Sequence, residues 1–224
     1  QDLLSVEYKT HFLRAGFRYR QQRDANLSTA NFNGQFVFAD LASYQADNPT
    51  LYTITSGNPS AAVSTGDLGF YIEDEWRARR NLTINYGFRF ESQTAIPDHF
   101  DPAPRAGISW AVYRKGARAP WIVLRGGAGV FFDRFAVANL LTSVRQNGVL
   151  EQTVQFQGSD AFDEYNPNRA KTNGYADPTI YRLSPGLRAA YDLIAGATAE
   201  HSFGRRGTVS VNYLAARGVH QYLS

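Results

Sequence analysis

The sequence predicts an all-β fold: an antiparallel transmembrane β-barrel segment of about ten strands. Three observations predict it. Apolar residues recur with a strict period of two, the alternating segments are long, and short connections take turns with long ones.

The alternation is clearest from Asn81 to Glu91. Leu82, Ile84, Tyr86, Phe88 and Phe90 occupy the even positions, and Asn81, Thr83, Asn85, Gly87, Arg89 and Glu91 the odd ones. In a pleated strand successive side chains point to opposite faces, so this pattern separates an apolar face from a polar one. The segment before it sets Leu68, Phe70, Ile72 and Trp76 against Gly69, Tyr71, Glu73, Glu75 and Arg77. Leu13, Ala15, Phe17 and Tyr19 oppose Arg14, Gly16, Arg18 and Arg20. Ala106, Ile108, Trp110 and Val112 oppose Gly107, Ser109 and Ala111, and Val209, Val211 and Tyr213 oppose Ser210 and Asn212. Strands are expected at 3–9, 11–21, 32–39, 50–57, 66–77, 81–92, 105–113, 120–132, 190–203 and 207–217. Several reach the roughly 9–11 residues that a tilted strand needs to cross a bilayer.

Tight turns are expected at Lys9–His11, Ala78–Arg80, Arg114–Ala119 and Gly204–Arg206, and longer excursions at Asp24–Ala30, Ser92–Pro104 and Asp133–Ala189. Short turns at one end of a barrel and long loops at the other produce this rhythm. Residues 1–224 therefore read as one partial barrel domain with a long external loop region at 133–189, which holds a short helix at 135–145 and an added strand at 149–157. Trp76, Trp110 and Trp121 all lie within a few residues of a tight turn, where an indole keeps its N–H wet and its body in lipid. Trp121 falls on the polar parity of its strand.

Composition removes several alternatives. A net charge of +3 with scattered Arg argues against nucleic acid. With no Cys there is no disulfide framework, thiolate metal site or cysteine nucleophile. No window approaches the roughly 18–20 apolar residues of a spanning helix, since Asn139 and Thr142 interrupt the softest stretch, Phe135 to Val144. Met is absent even at position 1, which fits either removal of a signal peptide or an interior piece of a longer protein.

From Gly69 onward the residues resemble a known family. Phe70-Tyr71-Ile72-Glu73-Asp74-Glu75-Trp76-Arg77, a tight turn, and Asn81 to Glu91 look like a hairpin of TonB-dependent receptors, most like the Oar-like branch. Pro104-Arg105-Ala106-Gly107, Arg125 to Arg134 and Val211 to His220 resemble successive later strands, in the expected order. The resemblance implies an outer-membrane barrel of about 22 strands, of which about ten lie here. It also implies a plug domain and a TonB system as partners, and uptake of an unknown solute by plug-gated passage.

Candidate chemistry is sparse. Glu73 and Glu75 share a face while Asp74 points to the other, so the trio does not converge as a catalytic pair would. Asp74 falls on the apolar parity and is expected near the headgroups or beside a bulge. His11, His99, His201 and His220 are far apart and form no zinc pattern. Asp160, Asp163, Glu164, Asn166 and Asn168 offer oxygen ligands for Ca²⁺ but lack EF-hand spacing, and a polar loop is the simpler account. Arg125-Gly126-Gly127-Ala128-Gly129 lacks the Lys-Ser/Thr ending of a phosphate loop. Arg14, Arg18, Arg20, Arg89 and Arg125 lie on polar parity and would line a lumen, either recognising anions or pairing with a plug or with Glu7, Glu73 and Glu91.

The expectation is an outer-membrane transport protein, not an enzyme. Its partners would be outer-membrane lipid and a solute, not nucleic acid. No catalytic, cofactor or metal residue is assigned, and the substrate-binding residues stay open. A structural or adhesive barrel and a soluble glycan-binding β-sandwich are the alternatives, because alternation alone fits any sheet with one apolar face.

Overall fold

The computed structural model describes residues 2–157, 178–204 and 207–222. In chain order the elements are β1 (Asp2–Tyr8), β2 (His11–Leu27), β3 (Gln35–Val37), α1 (Leu41–Gln45), β4 (Leu51–Gly57), β5 (Ser60–Arg79) and β6 (Leu82–Gln93). They continue with β7 (Asp101–Val112), β8 (Ile122–Phe132), α2 (Val137–Arg145), β9 (Glu151–Gln157), β10 (Tyr191–Ser202) and β11 (Thr208–Val219). Eight strands form one sheet in the order β1-β2-β5-β6-β7-β8-β10-β11, and three form another, β3-β4-β9. The pairs β1–β2, β5–β6, β6–β7, β7–β8, β8–β10 and β10–β11 are antiparallel, and β1 and β11 are the two edges of an open sheet.

The chain falls into two compact units. The first comprises Gln1–Gln22, Thr65–Phe135 and Pro185–Ser224; the second comprises Arg23–Ser64 and Ala136–Ser184. In the second, β4 pairs with β3 and β9, and the ring of Tyr52 is enclosed by Phe36, at 4.4 Å between ring centroids, and by Phe156. Thr55 and Thr153 hydrogen-bond across the same ladder at 3.0 Å. Asp40 caps α1 by accepting from the Ser43 N–H at 2.7 Å, and this bond holds its carboxyl below the ordinary carboxylate value.

The eight-stranded sheet contains eight of the ten expected strands. The two expected at 32–39 and 50–57 belong elsewhere: they are β3 and β4, and with β9 they make the separate sheet. Their apolar residues pack on one another, a choice that local alternation does not encode. Two expected excursions shrink as well. β2 continues through Asp24 to Leu27 beside a β5 that already begins at Ser60, and just past both ends the Ser28 N–H donates to the Pro59 carbonyl at 2.9 Å. β7 begins at Asp101 despite Pro102 and Pro104. It pairs with β6 from its first residue, whereas its ladder to β8 starts only at Arg105. Proline lacks an N–H and is tolerated where one side of a strand makes no ladder, which is the situation here.

Candidate functional site

Cross-strand partners share a face, so the register sorts every strand residue of the large sheet. One face carries the rows Ile72–Phe88–Pro104 and Ile84–Ile108–Gly126–Ala197–Tyr213. No described residue covers this face: Phe70 is 49% exposed, and Phe88 and Ile108 are 45% exposed. A contiguous apolar surface of this extent is not stable against water. The soluble β-sandwich requires these side chains in a buried interior, and the structure does not place them there. An apolar face on hydrogen-bonded strands of this length is what acyl chains require.

The ends of the sheet differ. The turns β1–β2, β5–β6 and β10–β11 are short, and Trp76, Trp110 and Trp121 gather at that end. Trp121 precedes β8, so its parity within the strand does not decide its position; its ring lies under the Arg114 guanidinium at 4.7 Å and edge-on to His201. Asp74 is on the apolar face, as its parity requires, yet only 6% exposed. His11 Nδ1 donates to its Oδ2 at 2.6 Å and the Tyr86 hydroxyl donates to the same oxygen at 2.7 Å, while the His11 imidazole stacks flat on Trp76. The β5–β6 register shifts between Trp76 and Arg79, so the carboxylate sits one step from a bulge. Arg217, another charged residue on this face, is two residues from the end of β11.

The opposite face is polar and internally paired. Arg14 meets Glu73 at 2.8 Å, Arg125 meets Glu200 at 3.1 Å, and Arg89 pairs with Glu91. Towards the long-loop end Asp67 takes Arg20 at 2.7 Å and also Arg134. Four of the five arginines read as lumen-lining thus have carboxylate partners, and two of those partners, Glu73 and Glu91, were legible from parity. Asp67 and Glu200 were not named, although Asp67 shares the parity of Glu73; they reach Arg20 and Arg125 across 47 and 75 residues of sequence. Arg134 and Arg105, named in the sequence only as part of the resemblance, were not read as lumen-lining. For Arg105 the signal was present: it shares parity with Gly107 and Ser109.

Between these pairs lies a recess of 610 Å³ on the polar face. Its floor includes Gly87, Gly107, Gly127 and Gly129, and Arg14, Arg89 and Arg105 stand around it. Gly107 and Gly127 are direct partners across β7–β8, so peptide groups are bare there. The Arg105 guanidinium lies 4.3 Å over the Phe131 ring.

The remaining candidates do not converge. Glu75 turns to Arg77 at 3.4 Å, His99 Nδ1 donates to the Gln93 carbonyl at 2.8 Å, and His220 packs edge-on to Tyr191. Among the described residues no group of His, Asp and Glu could hold a metal ion. Asp160, Asp163, Glu164, Asn166 and Asn168 lie outside the described residues. Arg125 to Gly129 is wholly inside β8, which runs on to Phe132, so these glycines are not the turn that opens a helix in a phosphate cradle.

The model of the outer membrane beta barrel domain family matches residues 1–99 and 93–224. Neither a curated protein nor a solved structure matches the chain. A sheet with one face for lipid and one lined by paired charges is the wall that such a family requires, and the chain belongs to the outer membrane beta barrel domain family.

Proposed function

We propose that the chain is part of the barrel of an Oar-like TonB-dependent receptor, which takes up a solute by plug-gated passage and performs no catalysis. The observation that carries this reading is the polar face. Arg14–Glu73, Arg89–Glu91 and Arg125–Glu200 line it with charge, as the polar interior of a water-filled outer-membrane barrel requires. Such a lining suits water and a polar occupant. The resemblance of Phe70–Glu91 and of the later strands to that branch supplies the plug and the energised gating. Outer-membrane lipid, the plug and the inner-membrane energy system are the partners this reading needs.

The test is uptake by whole cells carrying the full-length gene. Accumulation of the solutes lost in a deletion strain should return with the gene and stop when a protonophore collapses the proton gradient. Uptake that ignores the gradient refutes plug gating. A structural or adhesive role is the second reading. It is favoured by the exposed Leu41 and Tyr44 on α1 and by Val149, apolar groups suited to gripping a partner. It predicts loss of adhesion with uptake intact.

A further inference from the structure

The glycine-floored recess on the polar face contains one cation set apart from the others. Arg14 and Arg89 are each committed to a carboxylate, Glu73 and Glu91. Among the described residues Arg105 has no carboxylate within ion-pair distance, and its guanidinium is held over the Phe131 ring instead. Its position is built in. The two register partners of Arg105 are Gly87 and Gly129, so neither neighbouring strand places a side chain between it and the recess. A methyl group on Gly129 would meet the Arg105 Cγ at 2.9 Å and the Phe131 ring at 3.1 Å, so only glycine leaves space for this packing. Gly87 is similarly closed to a side chain, since a Cβ there would meet Glu73 at 2.8 Å and the Ile72 carbonyl at 2.9 Å. The outcome is a fixed guanidinium, with its ring platform, above a floor of bare peptide.

We propose that this recess binds a small organic carboxylate with a flat apolar body. The carboxylate takes the N–H groups of Arg105, a charge-assisted contact that can be bidentate. The flat body lies on the peptide floor of Gly107 and Gly127 beside Phe131, where no side chain intrudes. The assignment names a ligand class for the transport reading above and rests on it, because the polar face must be a lumen for the recess to meet solute.

The probe is 4-fluorobenzoate, followed by ¹⁹F line broadening with the full-length protein in lipid nanodiscs, beside the uncharged twin 4-fluorobenzamide. Benzoate should broaden and benzamide should not. Arg105→Gln should weaken benzoate binding about tenfold, the equivalent of one lost charge-assisted bond. Arg125→Gln, which lies outside the recess, should leave it unchanged. Gly129→Ala should weaken it too, by displacing Arg105 without removing its charge. Equal broadening by both probes, or an Arg105→Gln protein that binds benzoate as well as the parent, overturns the proposal. Gradient-dependent uptake is measured separately. If it persists while the probes fail, only the ligand assignment falls; if it is absent, the transport reading falls as well.

Discussion

The two sheets use the same kind of alternating sequence in opposite ways. In β3-β4-β9 the aromatic residues turn inward and find each other: Tyr52 is 2% exposed, stacked on Phe36 and beside Phe156. In the eight-stranded sheet Phe70, Phe88 and Ile108 project from the apolar face and remain nearly half exposed. The first sheet carries its own core and the second takes its apolar environment from the bilayer. Period two therefore reports that a strand has two unlike faces, and the solvent on each face is settled by what packs there.

Three substitutions test that contrast. The largest effect belongs to Tyr52→Ala, which removes an enclosed aromatic ring and should cost about 3–5 kcal/mol locally. Limited proteolysis should then cut within 23–64 or 136–184, while the barrel keeps its heat-modifiable migration on gels; losing that migration would show that the units are not separate. Next comes Phe88→Arg, a charge on the apolar face, with a cost of about 2–4 kcal/mol at mid-bilayer depth. Refolding into lipid vesicles at graded urea measures it, and an unchanged midpoint would remove the lipid contact assigned to this face. Asp74→Ala should have the smallest effect of the three. It frees His11 and the Tyr86 hydroxyl at interfacial depth, where water and headgroups supply substitutes, so a slight fall in the same midpoint is expected. A loss as large as that of Phe88→Arg would place Asp74 deep in the hydrocarbon.

Much of the large sheet was legible because a strand crossing lipid must alternate over its full length. β1, β6, β8, β10 and β11 lie within a few residues of where the pattern puts them. The outer ends were not, because beyond the bilayer a strand persists through backbone pairing and its side chains are free to be polar on both faces. Asp24 in β2 is such a case, and Pro102 and Pro104 hid the start of β7 for a different reason: proline signals a break to any local reading, although only one ladder is broken. Partners were the least legible. Asp74 was expected near a bulge or the headgroups, which fits its position, but nothing local to it indicates His11, 63 residues away. Arg105 was visible by parity alone, and its importance comes from two glycines on other strands that face it.

Sequence neighbours make most of this sheet, and two junctions, β2–β5 and β8–β10, are exceptions with kinetic weight. β1–β2, β5–β6 and β10–β11 are hairpins whose halves meet across a few residues, so each can zip as soon as it is made. β2 and β5 must find one another across residues 28–59, and β8 and β10 across residues 133–190. Longer closures carry a greater entropic cost and form later. At the β2–β5 junction the Arg77 N–H donates to the Thr10 carbonyl at 2.8 Å, and the His11–Asp74 bond lies alongside. Both latch the β2–β5 seam at its turn end, and a chain entering the bilayer would pause with its hairpins complete and its wall still divided at these two seams.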